Sequence, residues 1–566
     1  MRIVIVGGVA GGASAAARAR RLDENANIVL IERGKYVSFA NCGLPYYVGD
    51  EIQQRDKLIV TQPQRLRDRF RIDVRTRSNV VQIQREEKRI VVRDLATGRD
   101  YEEAYDKLIL SPGASPILPE FEGNDACNIF TLRTLEDVDK IRSLVDQGIA
   151  SAIVVGAGFI GLEMVENLVR RGVATTLVQL GDQILSALDP EMTTPLLQSL
   201  KRNGVDLVLN QTVAAVRNRE SGGLEVRLTD GTKSNTELLL IGVGIKPESK
   251  LASEAGIAIG PRGGIVTNPF MQTSDPSIYA VGDVVEVEDF ISKGRTQVAL
   301  AGPANRQGRL AADHIFGNPA TYRGTQGTAI VRLFDCVAAT TGANEQSLQR
   351  LGIAYEKVYV HPANHATYYP GAQTMAIKLL FSPNEGLILG AQIVGEEGVD
   401  KRIDVIAIAI QARMKVFDLE EVELAYAPQF GSAKDPINMA GFVAANVVRR
   451  SHPIIHVAEL MNGSELTNGS ELTNGSEKTN GSEKMPFILD VRTEEEFGAG
   501  HIPNAINIPV DVLRDRLHEL PKDRPIVTYC QVGQRGYIAT RILLQNGMRV
   551  RNLSGGYKTF RMFYPE

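Results

Sequence analysis

The stretch Arg2-Ile3-Val4-Ile5-Val6-Gly7-Gly8-Val9-Ala10-Gly11-Gly12 decides how the rest of the chain must fold. Its first half is β-branched and apolar throughout, the pattern of a strand buried on both faces of a parallel sheet. The glycines turn the chain into an alanine-rich helix predicted from Ala13 to Arg21. A second strand, Asn27 to Ile31, ends at Glu32, twenty residues beyond Gly12. Such a turn aims backbone N–H groups and a helix N-terminus at a pyrophosphate, and an acid ending the next strand receives a ribose hydroxyl. Gly7, Gly8, Ala10, Gly11, Gly12, Glu32 and Arg33 are therefore candidate dinucleotide contacts. Val9 stands where the usual fingerprint has its middle glycine, so the order strand, turn, helix, strand, acid carries the inference.

A second copy begins at Ala152. Ile153-Val154-Val155 runs into Gly156-Ala157-Gly158-Phe159-Ile160-Gly161, a complete G-x-G-x-x-G, then a helix carrying Glu163 and a strand from Thr175 to Val178. Two dinucleotides are implied. Gly156, Gly158 and Gly161 belong at the second pyrophosphate and Gln179 at its ribose. Leu180-Gly181-Asp182 offer no Arg or Lys to a 2′-phosphate, which favours NADH over NADPH. The run Lys107 to Ala114 closes the first lobe and supplies Ser111 and Gly113, Leu238 to Gly244 closes the second and supplies Gly244, and Ile278 to Asp283 returns to the first. Leu300 to Gly308 reads as another helix start, with Pro303 in its first turn and Ala304 beside it.

The chain has 566 residues, enough for roughly three to four domains, and 43% are hydrophobic, so each can bury a core. A net charge of −4 gives no basic footprint for nucleic acid. Cysteines occur at 42, 127, 336 and 530, with no CxxC and no metal-like spacing beside a histidine, so disulfide scaffolding and a structural metal are not expected. Cys127 and Cys336 read as packing residues. The amino terminus has no signal-peptide pattern, and no apolar run of ~20 residues spans a membrane. A soluble, cytoplasmic protein of a reducing compartment is expected.

Cys42 sits in Ser38-Phe39-Ala40-Asn41-Cys42-Gly43-Leu44-Pro45-Tyr46-Tyr47, where glycine allows close backbone approach and proline stiffens the loop. A helix starting just after it is expected to lower the thiol pKa. Strands and helices alternate from about Gly327 to Val447. A polar, six-residue repeat fills 462–484 and reads as a flexible insertion in a surface loop, because Ile454 to Leu460 already looks like the start of the last domain. That domain carries Ile488-Leu489-Asp490-Val491-Arg492, then Glu494 to Phe497 and Gly500 to Pro509. A buried strand, Ile526 to Tyr529, runs into Cys530-Gln531-Val532-Gly533-Gln534-Arg535. A cysteine at a strand end, cradled by a loop that opens a helix, sees several N–H groups and Arg535, an environment for a thiolate or persulfide. A phosphatase would want a similar cradle.

From Arg2 to about residue 450 these motifs resemble the pyridine nucleotide-disulfide oxidoreductases, and the last hundred residues resemble a single rhodanese domain. The resemblance implies an α/β fold of two Rossmann-like domains for FAD and NAD, an α+β dimerisation domain and a rhodanese domain. The implied extents are 1–115 with 246–324 for FAD, 116–245 for NAD, 325–448 for dimerisation and 452–566 for rhodanese. It also assigns Asp283 to the flavin ribitol and implies a homodimer. Dithiol members of the family use CxxxxC; here the second position is Tyr47, so the partner of Cys42 must come from substrate, or from water through a sulfenic acid.

The wording around Cys42, with Arg18 and Arg21 on the first helix, resembles coenzyme A-disulfide reductases. By that resemblance Ser14, Arg18, Arg21, Ser38, Asn41 and Lys434 lie along a CoA path, while Phe70 replaces a lysine. No histidine lies near Tyr426, and Tyr426 with Tyr368 matches the family's proton-donating tyrosines, Tyr369 being the alternative register. Fusion to a rhodanese domain most resembles an NADH-dependent persulfide or polysulfide reductase that releases hydrogen sulfide, with Cys530 relaying sulfane sulfur. CoA-disulfide reduction as the main activity, an NADH oxidase or peroxidase, and a redox sensor or sulfur-carrier module are the rival readings.

Overall fold

The computed structural model of the chain describes residues 1–462 and 485–565. The repeat at 462–484 therefore lies, beyond its first residue, outside the described residues. The chain divides into two compact units, Met1–Leu185 with Leu200–Gly327, and Ser186–Ser199 with Thr328–Glu566.

The first unit holds two parallel five-stranded sheets. One has the order Ile278–Ala280, Lys107–Leu110, Arg2–Val6, Asn27–Ile31, Asp73–Arg75. Val6 is in register with both Ile31 and Leu110, so three strands end level where the Gly7 turn begins. Ile3, Val4 and Ile5 are fully buried, as a strand covered on both faces requires. The second sheet has the order Asp206–Leu209, Ala174–Gln179, Ser151–Val155, Leu238–Ile241, Ile129–Phe130. The repeated strand–turn–helix pattern thus becomes two doubly wound lobes.

The first helix spans Ala10–Leu22 and so begins three residues before the predicted Ala13. Gly11 and Gly12 are helical rather than part of the turn, because a Cβ on Gly12 would collide with the Gly7 carbonyl oxygen. The helix can start this close to the strand only without that side chain. Gly161 stands in the same relation to Gly156 in the second lobe.

The second unit has an antiparallel sheet, Ala329–Leu333, Cys336–Gly342, Ile388–Gly395, Ala376–Phe381, Glu356–Val360, and a parallel sheet, Ile454–Ile455, Val550–Leu553, Ile526–Tyr529, Phe487–Asp490, Ile506–Asn507. Ile454–Ile455, which precedes the repeat in sequence, is an edge strand of the latter. Within this unit the segment behind Cys530 is fastened to the antiparallel sheet: the Tyr359 N–H donates to Ser554 Oγ at 3.2 Å, and His361 Nε2 and Thr559 Oγ1 are 2.7 Å apart. Burial pushes the His361 pKa down to about 3, so this contact is made by a neutral imidazole.

A buried charge cluster completes that sheet. Lys378 is fully buried and pairs with Asp189, Glu191 and Glu345 at 2.7, 2.5 and 2.5 Å. Three carboxylates around one ammonium meet the requirement that a buried charge be paired and hydrogen-bonded. Cys336 is buried, as expected of a packing residue, but Cys127 is exposed, its Sγ 2.9 Å from Asn218 Oδ1. Its place in the loop before Ile129–Phe130 leaves it outside the second lobe's core.

Candidate active site

The first glycine turn is shaped for a dinucleotide. One oxygen of Glu32 accepts the Gly8 N–H at 2.7 Å and the other the Gly34 N–H at 2.7 Å, which holds the carboxylate at the end of its strand. The Ser111 N–H donates to the Val6 carbonyl at 2.7 Å, and the Gly282 N–H to Gln307 Oε1 at 2.8 Å, so the segments carrying Ser111, Gly113 and Asp283 meet above the same strand ends. Ala304 lies in the first turn of the helix Ala301–Ile315 and is buried. Burial raises the Asp283 carboxyl above its ordinary pKa, offset in part by Arg133. Arg33 is largely exposed, 3.8 Å from Glu248. In the second lobe Gln179 Oε1 accepts the Ala157 N–H at 2.9 Å, repeating at the end of its strand what Glu32 does in the first. Gly156 and Gly244 both have positive φ, at +102° and +129°. These cradles fit FAD and a nicotinamide dinucleotide by their close backbone approach and placed carboxylate and amide.

Cys42 belongs to a single 3-10 turn, Asn41–Gly43, followed by the short helix Leu44–Val48. A Cβ on Gly43 would lie 2.6 Å from Leu58 Cδ2, so glycine lets the chain press against that leucine. Ser38 sits in the left-handed region at φ +49°, pinned by its N–H to the Gly8 carbonyl and by its own carbonyl to the Val60 and Thr61 N–H groups. The carbonyl end of the short helix is tied down by cations: Arg142 donates to the Tyr47 carbonyl at 2.6 Å and Arg171 to the Val48 carbonyl at 3.0 Å. Asn41 and Cys42 remain exposed on the loop.

The expected lowering of the Cys42 pKa is not found. Solvent reaches the residue, but desolvation by its surroundings raises the thiol above its ordinary value, and the carboxylates of Glu163 and Asp283 raise it further, against an opposing backbone hydrogen bond. The reason is geometric: a helix of five residues has little dipole to offer against the desolvation of the thiol and the half-buried carboxylate of Glu163. Glu163, on the helix Phe159–Arg170, accepts from Tyr46 Oη at 3.1 Å and is itself raised by burial. A carboxylate four residues past the first helical residue of a dinucleotide fingerprint, set among Leu162, Met164 and Val165, was the available sequence signal. Glu163→Gln removes a negative charge facing Cys42, so the thiolate should form at lower pH. The pH profile of iodoacetamide alkylation at Cys42 should shift to the acid side; no shift, or an alkaline one, removes Glu163 from the thiol's environment.

Ser14, Arg18 and Arg21 share the first helix. Ser14 Oγ donates to Asn305 Oδ1 at 2.5 Å, Arg18 is paired with the buried Asp313 at 2.6 Å, and Arg21 is exposed. A phosphate approaching Arg18 would share it with Asp313. In the second unit Lys434 is exposed next to Asp435, which caps the helix Pro436–Val448 and pairs with buried Arg402 at 2.8 Å. Tyr368 Oη and Tyr426 Oη are 2.8 Å apart, both rings exposed. Tyr369 instead packs edge-on against His365, 5.7 Å between centroids. Tyr368 and Tyr426 thus form the pair, and Tyr426 raises the Tyr368 pKa through their hydrogen bond.

Cys530 is fully buried at the end of its strand, and the Gly533 N–H donates to its sulfur at 3.2 Å. Gly533, at φ +96°, caps the helix Gln534–Gln545, whose first turn carries Arg535. The Tyr557 N–H donates to the Cys530 carbonyl at 2.8 Å and the Lys558 N–H to that of Gln531 at 2.9 Å, which closes the loop from behind. Arg535 reaches the sulfur's surroundings, as expected, but its firmest partner is Glu496, bound by two hydrogen bonds of 2.7 Å.

A family model described as pyridine nucleotide-disulphide oxidoreductase matches residues 1–308, its dimerisation domain matches 328–435, and a rhodanese-like domain matches 471–562. Coenzyme A disulfide reductase of Staphylococcus aureus is 36% identical over 445 residues, covering 78% of this chain and 99% of that protein. Among solved structures, reduced CoADR-RHD of Bacillus anthracis is 46% identical with a TM-score of 0.94, over 100% of this chain and 98% of that one. A NAD-dependent persulfide reductase from A. fulgidus is 35% identical with a TM-score of 0.89, over 100% of both chains.

Proposed function

The chain belongs to the pyridine nucleotide-disulphide oxidoreductase family, and from that premise we propose that it is an NADH-dependent persulfide and polysulfide reductase that works with coenzyme A and releases hydrogen sulfide. One observation carries the reading: Cys42 has Tyr47 where a dithiol enzyme has its second cysteine, while a second thiol, Cys530, sits in an anion cradle of the same chain. An enzyme with one redox thiol needs a thiol from its substrate, and a carrier thiol such as that of coenzyme A supplies it.

The sulfur chemistry then runs in balanced steps. Cys530 thiolate takes the outer sulfur of a persulfide and releases the donor thiolate; the resulting Cys530 persulfide passes that sulfur to the CoA thiolate. Cys42 thiolate attacks the CoA-linked sulfur of CoA persulfide, the S–S bond breaks, and hydrosulfide leaves. Cys42 is left joined to CoA; FAD held at the first glycine turn would supply, once reduced by NADH, the two electrons that return both sulfurs to thiolates. Ser38 and Asn41 flank Cys42, with Ser14, Arg18, Arg21 and Lys434 assigned to the CoA moiety. The Tyr368–Tyr426 pair is assigned to donate protons or hydrogen bonds to leaving sulfur, across the interface of a homodimer.

Gly7, Gly8, Ala10, Gly11, Gly12, Glu32, Arg33, Ser111, Gly113, Asp283 and Ala304 are assigned to FAD. Gly156, Gly158, Gly161, Gln179 and Gly244 are assigned to NADH. The functional domains proposed are 1–115 with 246–324, 116–245, 325–448 and 452–566. Among the described residues no helix is long and apolar enough to cross a membrane, and thiol chemistry of this kind suits the cytoplasm.

Steady-state comparison of CoA persulfide with CoA disulfide tests the assignment. The expected kcat/KM favours the persulfide by about tenfold or more, with one sulfide released per NADH. A preference for CoA disulfide, with no sulfide from the persulfide, returns the disulfide as main substrate.

A further inference from the structure

The Cys530 loop, Cys530-Gln531-Val532-Gly533-Gln534-Arg535, contains one charged side chain, and that one is neutralised. Arg535 donates through Nη1 to Glu496 Oε2 and through Nη2 to Glu496 Oε1, both at 2.7 Å, the two-pronged geometry that fixes a guanidinium most firmly. Glu496 is fixed in turn. It is the third residue of the helix Glu494–Gly498, and its Oε2 also accepts the Thr493 N–H at 3.0 Å and the Thr493 hydroxyl at 3.2 Å. With Arg535 as the foremost cause, its pKa is held down to about 2, so it carries a full negative charge under all working conditions.

Two other cations near the loop have side-chain partners of their own among the described residues. Arg492, whose Nη1 reaches Gln531 Oε1 at 3.2 Å, is buried against Asp490, with an Nη2–Oδ2 distance of 2.7 Å. Lys558 turns its ammonium to Thr374 Oγ1 at 3.1 Å. Cys530 is therefore met by the Gly533 N–H, a helix N-terminus and a guanidinium whose charge is matched by a carboxylate. Such a cradle can support about one added negative charge, since a helix terminus is equivalent to roughly half an elementary charge.

We propose that the Glu496–Arg535 pair sets the donor specificity of Cys530, admitting singly charged alkyl persulfides and discriminating against doubly charged donors such as thiosulfate. The inference rests on the reading of Cys530 as the sulfur acceptor. In the favoured reaction Cys530–S⁻ attacks the outer sulfur of R–S–S⁻, the new bond forms at Cys530, the R–S bond to that sulfur breaks, and R–S⁻ departs. Two negative charges are present before and after. With thiosulfate the same transfer gathers three, the leaving group being sulfite, and the extra charge meets a loop whose one guanidinium is already matched by Glu496. Glu496 thus acts against the wrong donor, and also as the positioning residue for Arg535.

The test uses the whole protein and a single-turnover measurement of Cys530 persulfide by mass spectrometry, with 2-hydroxyethyl persulfide, which carries one negative charge, and thiosulfate, which carries two, as the donors. The wild-type protein should load from the persulfide at least about tenfold faster. Glu496→Gln, which keeps an acceptor for Arg535 but removes the charge, should shift the ratio of rates about tenfold toward thiosulfate, and Glu496→Ala should shift it in the same direction. Wild-type loading from thiosulfate at the persulfide rate, or an unchanged ratio in Glu496→Gln, overturns the proposal. The wild-type ratio needs no variant to fold. Loading that persists in Cys530→Ser would instead remove the acceptor reading on which the proposal rests.

Discussion

Replacing Cys42 with serine should abolish NADH-driven reduction of CoA persulfide, polysulfide and CoA disulfide alike, lowering kcat by roughly a thousandfold or more. Every reductive route in the proposal passes through an S–S bond at this sulfur, and a serine oxygen cannot form it. The substitution is nearly isosteric in a loop held by backbone contacts that do not involve the side chain: the Gly43 N–H to the Ala40 carbonyl, and the Ser38 N–H to the Gly8 carbonyl. The folded state and its thermal midpoint should therefore stay close to wild type, which separates lost chemistry from lost structure. NADH absorbance and released sulfide, measured together, give the readout. Retention of a tenth of the wild-type rate on any one of these substrates would mean that another group handles the sulfur.

Cys530→Ser should divide the substrates. Reduction of preformed CoA persulfide should stay within about twofold of wild type, because that substrate already carries its sulfur on the carrier thiol. Use of polysulfide or elemental sulfur with catalytic CoA should fall by about ten- to a hundredfold, since loading of the carrier loses its protein nucleophile. The loop around residue 530 is closed by main-chain bonds from Tyr557 and Lys558, so serine should leave it standing. An unchanged profile across all three substrates would end the relay, and would leave the last domain with a binding role only. Loss of CoA persulfide reduction as well would place Cys530 on the main path.

The Glu163 and Glu496 results bear on different sulfurs. Glu163 opposes the ionisation of Cys42, whereas Glu496 is bound to Arg535 and, in the proposal, acts on what approaches Cys530. Both are carboxylates near a thiol, but one is raised by burial and the other held down by a guanidinium. Environment decides which role a carboxylate takes.

What was readable from sequence is what the local chain dictates. Apolar β-branched runs ending in glycine turns, repeated at residues 2–12 and 153–161, were enough for two doubly wound lobes, because strand burial and turn geometry follow from a handful of adjacent residues. The solitary Cys42 with Tyr47 in the second thiol's place was equally plain. Tertiary structure alone decided the rest. Tyr368 rather than Tyr369 meets Tyr426, a choice of register across 58 residues that no local pattern holds. The helix after Cys42 proved too short to lower its pKa, and desolvation by the surrounding fold, followed by a carboxylate 121 residues away, raised it instead. Arg535 was legible as a cation beside Cys530, but its neutralisation by Glu496, 39 residues earlier, was not. Coulomb and desolvation energies depend on distances through space, and the fold, not spacing along the chain, sets those distances.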